Sequence, residues 1–172
     1  MKNLKSRNVE LDNYRIISLL PIISYHEIAH VFCSTGDLSV LLGKIIYRGR
    51  LIALDILKEN ISETKKKFKN SRLSNVEAVH MSEGSLLKLQ DSSLDGTMIS
   101  YSLRMSDNVN EILRETNRFL KNGGWLSLIE EYPVKDGDIT FDEYKNIAEK
   151  AGFHFYMKHN LSVNVYMMLL RK

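Results

Sequence analysis

The sequence contains little of what several classes of protein require. Cys33 is the only cysteine among 172 residues, so the chain cannot form an internal disulfide. The only two prolines, Pro21 and Pro133, do not form a linker, and we find neither repeats nor low-complexity segments. The longest apolar stretch, near residues 16–23, is interrupted and far shorter than the ~20 residues of a membrane helix. These absences favour one soluble domain in a reducing compartment, and we expect a cytoplasmic protein.

The charge of the chain is nearly balanced. Its 24 Lys and Arg residues against 21 Asp and Glu residues give a formal net charge of +3. The densest basic run, residues 65–69, is typical of a solvated helix face, and an RNA-contact patch is the alternative interpretation. No aromatic residues alternate with the run, as stacking on nucleotide bases would require. We therefore do not expect nucleic acid as a partner.

Hydrophobic periodicity predicts strands and helices in alternation. We interpret residues 1–172 as one domain in which residues 1–23 form a helical lead-in. The predicted strands are Glu27–Cys33, Leu51–Asp55, Val76–His80, Gly96–Ser102, Trp125–Glu130, Phe153–His159 and Val163–Leu170. The predicted helices run from the cap Asp12 to Leu20, over Leu38–Tyr47, over Leu57–Asn70, from the cap Asp107 to the turn Asn122–Gly124, and from the capping box at Thr140 to Gly152.

The order of these elements predicts an α/β fold. Alternation argues for a doubly wound, mostly parallel sheet covered on both faces, with Gly96–Ser102 beside Glu27–Cys33 at its centre. The last two strands follow each other directly, which predicts an antiparallel hairpin at one edge. Ligands of such sheets bind beyond the carboxyl ends of the strands, at the switch point. This rule predicts a site formed by residues 32–37, Asp55, residues 81–85 and residues 100–105.

Two carboxylates lie at that predicted edge. Asp55 ends the second strand, where an acidic residue suits the hydroxyls of a ribose. The alternative is that Asp55 caps the following helix, and one carboxylate is able to do both. Glu83 follows the third strand, where a polar residue suits a nucleotide base.

Four segments together carry a family resemblance: VFCSTGDLSVLLGK, GRLIALDILKENI, SNVEAVHMSEGSLLKLQDSSLDGTMIS and FLKNGGWLSLIEE. In this order they resemble class I S-adenosylmethionine-dependent methyltransferases, most closely the small stand-alone type related to ubiquinone and menaquinone methylases. The resemblance extends from about Leu20 to Lys172. It implies a Rossmann-like, seven-stranded sheet whose last strand is inserted antiparallel, and S-adenosylmethionine as the cofactor.

The resemblance also assigns cofactor-binding positions. Gly36 matches the last glycine of the family's first motif. Asp55 matches the acid that binds the ribose, and Ile56 matches the side chain that packs against adenine. Glu83 matches the acid that receives the adenine amino group, with Ser85 beside it.

The first motif departs from the family pattern at three positions. The family has an acid followed by three alternating glycines, whereas this chain has His30, then Phe32, Ser34 and Gly36. His30 removes a negative charge that would face the cofactor's ammonium group. The ring of Phe32 is expected to occupy part of the methionine pocket unless it turns into the sheet. We therefore expect S-adenosylmethionine to bind weakly or not at all.

A competing motif overlaps the first strand. Residues 26–30 read H-E-x-x-H, the zinc-protease pattern, which requires both histidines on one helical face and a third ligand. In a strand, His26 and His30 would lie roughly 13 Å apart. We therefore predict no metal site, and we interpret Cys33 as a buried turn residue rather than a nucleophile.

The function that these features favour is methyl transfer from S-adenosylmethionine to a small-molecule acceptor. Methyl transfer requires positioning and desolvation more than covalent help, so a general base is optional. The candidates for such a base are Tyr14, Tyr101, Arg104, Glu130 and Glu131. Two alternatives stay open: a catalytically inactive, methyltransferase-like binding or regulatory domain, and an RNA methylase, which would need a basic surface continuous with the site.

Overall fold

Seven strands and five α-helices are present in the part of the chain that the structure describes. A computed structural model describes residues 11–81, 89–101, 103, 106, 108–134 and 137–172. The strands are β1 Glu27–Val31, β2 Arg50–Asp55, β3 Val76–His80, β4 Leu94–Ser100, β5 Leu120–Glu131, β6 His154–Asn160 and β7 Val165–Arg171. The helices are α1 Asn13–Ser18, α2 Asp37–Ile45, α3 Lys58–Asn70, α4 Val109–Phe119 and α5 Phe141–Lys150.

The strands form one sheet in the order β3-β2-β1-β4-β5-β7-β6. The first five strands in this order are parallel, and β7 is antiparallel to both β5 and β6. The predicted doubly wound sheet with an antiparallel last strand is thereby confirmed, as is the pairing of its two central strands, in which Ile28 lies opposite Gly96. The chain moves from β1 outward to β3 and then returns to β4, so the switch point lies between β1 and β4.

The sheet separates two apolar clusters. Strand β1 contributes to both: Ile28 packs with residues of α1, α2 and α3, whereas Ala29 and Val31 pack with residues of α4 and α5. A central parallel strand is covered by helices on both faces, which explains its nearly continuous apolar sequence. The positions of its polar residues are therefore informative, because a polar side chain there requires a partner.

Some predicted boundaries were wrong. Strand β1 ends at Val31 rather than Cys33 because Phe32 has a φ of +58°, which takes the backbone out of the extended region. The turn Asn122–Gly124 was predicted to precede the fifth strand, but β5 begins at Leu120 and includes it. Leu120 already pairs with Leu94, so the glycines form an irregularity within the strand instead of its start.

Two predicted helix caps are confirmed. Asp12 accepts a hydrogen bond of 2.9 Å from the backbone N–H of Tyr14 at the start of α1. At the start of α5, the Thr140 hydroxyl and the Glu143 side chain form a capping box. The predicted cap Asp107 lies outside the described residues, and Asn108 occupies the N-cap of α4.

The H-E-x-x-H segment is not helical. His26 precedes β1, and His30 lies within it. Among the residues that the structure describes, no group of three or more histidines, cysteines and carboxylates is arranged to hold a metal ion. In the same part of the chain, no helix has the length and apolar composition needed to cross a membrane.

Candidate functional site

Unusual backbone conformations meet at the switch point. Phe32, Ser34 and Gly36, which follow β1, have φ values of +58°, +52° and +81°. Tyr101, which follows β4, has a φ of +58°. This conformation costs a residue other than glycine about 1–3 kcal/mol, and such residues cluster at binding and active sites. The candidate site therefore lies where the first motif was predicted.

The turn after β1 keeps the backbone of a glycine-rich turn although two glycines are replaced. Hydrogen bonds within the protein hold it in this shape. The N–H of Cys33 donates to the carbonyl of Leu54 at 2.9 Å, and the N–H of Gly36 donates to the carbonyl of Cys33 at 3.1 Å. The Thr64 hydroxyl donates to the carbonyl of Ser34 at 3.2 Å.

The ring of Phe32 turns toward the core. It is half-buried and packs against the apolar cluster on the α4 and α5 face of the sheet. This packing corresponds to the alternative in which the ring turns inward, and its effect on cofactor affinity remains a prediction.

The histidine that replaces the motif's acid is buried and neutral. His30 is only 2% exposed, and its Nδ1 lies 2.7 Å from the hydroxyl oxygen of Ser39 in α2. Its Nε2 lies 3.4 Å from the hydroxyl oxygen of Ser100 at the end of β4. Burial lowers the pKa of His30 to about 3. His30 therefore supplies hydrogen bonds at this position but no charge of either sign near neutral pH.

Asp55 joins three segments. Its Oδ2 accepts a hydrogen bond from the backbone N–H of Ser34 at 2.9 Å. Its Oδ1 accepts from the backbone N–H of Leu57 at 2.9 Å and from Nδ2 of Asn60 at 3.0 Å. Asp55 as a whole is buried, with 4% of its surface exposed. Leu57 is the N-cap of α3, so Asp55 holds the start of that helix through the Leu57 N–H without being its cap, and ribose binding remains a prediction.

The other predicted cofactor residues divide between described and undescribed parts of the chain. Gly36 is the N-cap of α2, and a Cβ atom built on it would lie 2.6 Å from Oγ1 of Thr64, so helix packing alone requires a glycine there. Ile56 directly follows Asp55 and packs against the cluster on the α4 and α5 face. Glu83 and Ser85 lie outside the described residues.

Sequence reasoning missed two polar residues of the site. Ser39 is the partner of His30, and Asn60 is a partner of Asp55. Each was detectable in principle, because both lie in the first turn of a helix that follows a central strand. Side chains in such first turns point toward the carboxyl edge of the sheet, where ligands of this architecture bind.

Of the proposed proton acceptors, Glu130 has the most defined environment. It is buried at the end of β5, and its Oε1 accepts a hydrogen bond of 3.1 Å from the backbone N–H of Leu103. The pKa of Tyr166, which pairs with Glu130 from β7, is raised mainly by burial. The charge of Glu130 is the second cause. Tyr14 is exposed on α1. Arg104 lies outside the described residues.

The basic run lies on the solvent side of α3. Lys65 and Lys69 are exposed, whereas Nζ of Lys67 pairs with the carboxylate of Asp37 at 2.7 Å. This arrangement matches the interpretation as a solvated helix face.

Solved structures resemble the whole architecture. A SAM-dependent methyltransferase from Aquifex aeolicus superimposes with a TM-score of 0.81 at 18% identity, covering 93% of this chain and 89% of that one. Geranyl diphosphate C-methyltransferase from Streptomyces coelicolor, solved with Mg2+, geranyl diphosphate and S-adenosyl-L-homocysteine, gives a TM-score of 0.80 at 10% identity, with 92% and 77% coverage. At such identities, these likenesses show the fold alone.

Sequence comparison is more specific. Demethylmenaquinone methyltransferase of Oceanobacillus iheyensis is 33% identical over 131 residues, which cover 74% of this chain and 50% of that protein. The enzyme of the same name from Listeria welshimeri is 32% identical over 107 residues, 60% of this chain and 44% of that protein. The chain thus spans about half the length of these curated relatives. The ubiE/COQ5 methyltransferase family profile matches residues 15–146, and the chain therefore belongs to the ubiE/COQ5 methyltransferase family.

Proposed function

We propose that the chain is a methyltransferase that uses S-adenosylmethionine and acts on a small aromatic acceptor of the quinone type. The observation that carries the proposal is the turn after β1, where three alternate residues keep positive φ values beside Asp55. The names of the relatives, demethylmenaquinone methyltransferases, support a quinone-type acceptor.

The described residues lie where an adenosyl group would bind, but the hydrogen bonds of Asp55 limit what this carboxylate can offer to a ribose. The left-handed φ values keep Phe32–Gly36 in the curve of a glycine-rich turn, although Phe32 and Ser34 carry the Cβ atoms that a glycine lacks. Ile56 offers an apolar contact at the same edge, one residue beyond Asp55. The carboxylate of Asp55, however, already accepts three hydrogen bonds, so it has little remaining capacity for ribose hydroxyls.

The chain's own residues would hold and orient the reactants. S-adenosylmethionine supplies an activated methyl group together with its leaving group, so the protein is left with positioning and water exclusion. The hydrogen bond from the N–H of Leu103 to Glu130 ties Leu103, which follows β4, to the end of β5. Strand β4 lies between β5 and β1 in the sheet.

An aromatic cluster, in which Tyr166 is buried, lies further along the same edge. The rings of Tyr132, Phe141 and Tyr166, which we call the edge rings, contact each other with centroid distances of 5.0 Å for Tyr132–Tyr166 and 5.2 Å for Phe141–Tyr166. Nζ of Lys158 lies 4.3 Å from the Phe141 centroid and 4.8 Å from the Tyr132 centroid. The exposed side chain of Lys158 beside the partly exposed rings of Tyr132 and Phe141 suits a flat ring that carries an oxygen atom. This chemistry supports a hydroquinone as the acceptor.

The test is a transfer assay. Purified protein is incubated with S-adenosylmethionine labelled in its methyl group and with a reduced 1,4-naphthoquinone that lacks a ring methyl. We expect labelled product that is absent without the quinol and strongly reduced in Lys158→Met. Binding of S-adenosylmethionine without transfer to any quinol would instead favour the non-catalytic domain. Transfer to RNA in a parallel reaction would contradict the small-molecule assignment.

A further inference from the structure

We propose that Asn60, rather than Asp55, is the side chain that binds the ribose hydroxyls of an adenosyl ligand, and that Asp55 positions Asn60. The inference rests on the proposed function, because it assumes an adenosyl ligand at the turn after β1. It changes the assignment of the ribose anchor from an acid to a neutral amide.

The first step is the state of Asp55. Asp55 as a whole residue is 4% exposed, and its carboxylate accepts hydrogen bonds from Ser34, Leu57 and Asn60. A carboxylate offers about four lone-pair directions, so three internal donors occupy most of its capacity. The carboxylate keeps about one lone-pair direction for a ligand, whereas a ribose presents two hydroxyls. A second hydroxyl would have to displace a donor, and Ser34 and Leu57 donate through backbone N–H groups that would lose their acceptor.

The second step is the orientation of Asn60. A carboxylate only accepts hydrogen bonds, so the amide nitrogen of Asn60 must face Asp55. The amide oxygen Oδ1 then points away from Asp55. Within the part of the chain that the structure describes, no group donates to this oxygen. Asn60 is half-buried, so a ligand is able to reach it.

The third step is the location of Asn60. It lies in the first turn of α3, directly after the carboxyl end of β2. Asn60 and Ser34 bind opposite oxygens of the same carboxylate, so one carboxylate separates Asn60 from the turn after β1. An acceptor oxygen in this place has the chemistry that ribose hydroxyls require, since each hydroxyl is a hydrogen-bond donor.

The test compares two nucleosides that differ only in the ribose hydroxyls. The probes are 5′-methylthioadenosine and its 2′,3′-dideoxy counterpart, titrated by calorimetry or ligand-observed NMR. We expect Asn60→Ala to weaken binding of methylthioadenosine about 3- to 10-fold, the effect of losing a neutral hydrogen bond. The dideoxy probe is expected to bind equally to both proteins. Ser62→Ala, an exposed polar residue in the same helix, should change neither affinity.

The outcomes separate the inference from the proposed function. If the wild-type chain binds neither probe at millimolar concentration, both are wrong. A second outcome is that the wild type binds the probes and that Asn60→Ala shows the same ratio of affinities for the two probes as the wild type. In that case the hydroxyls are bound by another group, and the inference is wrong while the proposed function stands. A melting temperature measured for each variant identifies any loss of binding that comes from unfolding.

Discussion

The backbone N–H of Ser34 donates a 2.9 Å hydrogen bond to Oδ2 of Asp55, which ties the turn after β1 to the end of β2. The other oxygen of the carboxylate holds the start of α3 through Leu57 and Asn60. A hydrogen bond to a charged acceptor is stronger than one between neutral groups. It therefore offsets part of the cost of the left-handed conformation at Ser34.

Replacing Asp55 by alanine should affect both stability and binding. The change leaves the N–H groups of Ser34 and Leu57 without their acceptor, so we expect the free energy of unfolding to fall by about 2–3 kcal/mol. Nucleoside binding, if Asp55 supports it, should weaken by about 1–3 kcal/mol. Urea unfolding and calorimetry measure the two quantities, with Ser62→Ala as the control. An unchanged free energy of unfolding would contradict the conclusion that Asp55 stabilises the turn after β1 and the start of α3.

The buried imidazole of His30 predicts a particular dependence of stability on pH. Its pKa is lowered to about 3 in the folded protein, against 6.5 when exposed. Between these two values the unfolded chain binds a proton that the folded chain does not, so stability falls as the pH falls. Within this range, we expect the free energy of unfolding to fall by about 1.4 kcal/mol for each unit by which the pH is lowered. Above pH 6.5, His30 is neutral in both states and its titration costs no stability.

Urea unfolding of the wild type and His30→Asn at pH 7, 6 and 5 tests this dependence. Asparagine does not titrate, so the His30 contribution to the slope should be absent from the variant. His26, whose pKa is also lowered, chiefly by burial, contributes equally to both proteins and cancels in the difference. Parallel curves for the two proteins would show that His30 is not the group responsible.

The sequence predicts much of the fold because the relevant signals are local and repeated. Apolar strands that alternate with amphipathic helices favour one arrangement, a sheet covered on both faces with β1 and β4 at its centre. The position of Asp55 at the end of β2 also follows from this order. Local signals mislead at Gly123, where a glycine pair suggests a turn between elements, whereas pairing of Leu120 with Leu94 extends the strand through it.

The details of the site depend on contacts between residues that are distant in sequence. Propensity does not predict positive φ values at Phe32 and Ser34, because tertiary hydrogen bonds impose them. A histidine in an apolar strand gives no indication of its partner, which here is a serine nine residues later in α2. The sequence also assigns Gly36 to the cofactor, although contact with Thr64 alone requires a glycine there.

Gly36→Ala should therefore destabilise the fold independently of any ligand. The new Cβ atom would meet the Thr64 side chain at 2.6 Å, and φ at this position is +81°. We expect a loss of about 2–4 kcal/mol from the combined clash and backbone strain. Thr64→Ala removes Oγ1 and Cγ2, the two nearest atoms, but leaves the Cβ of residue 64 at 2.9 Å and the backbone strain, so the double variant should recover part of the loss. If the loss of unfolding free energy in the double variant equals the sum of the losses in the two single variants, the predicted clash between position 36 and Thr64 is wrong.

Cys33 should be unreactive in the folded protein. Burial raises the pKa of its thiol to about 12, so almost no thiolate is present at neutral pH. We expect Ellman's reagent to label Cys33 only after denaturant is added, at a rate limited by unfolding. Rapid labelling of the native protein would show that the turn after β1 opens far more readily than its hydrogen bonds indicate.

The affinity for S-adenosylmethionine should increase when the first motif is repaired. With Phe32 in place of glycine and no charge at His30, we expect the wild type to bind near the millimolar range, one to three decades weaker than a micromolar relative. Glycine adopts the observed φ values at positions 32 and 34 without strain, so Phe32→Gly with Ser34→Gly should preserve the turn and raise affinity about tenfold. Adding His30→Asp restores a negative charge but buries it against Ser39, so affinity should rise further while stability falls.

Calorimetric titration of the wild type, the double variant and the triple variant measures these effects, with melting temperatures alongside. Micromolar binding by the wild type would contradict the prediction and would mean that the inward packing of Phe32 is sufficient to keep the cofactor site open.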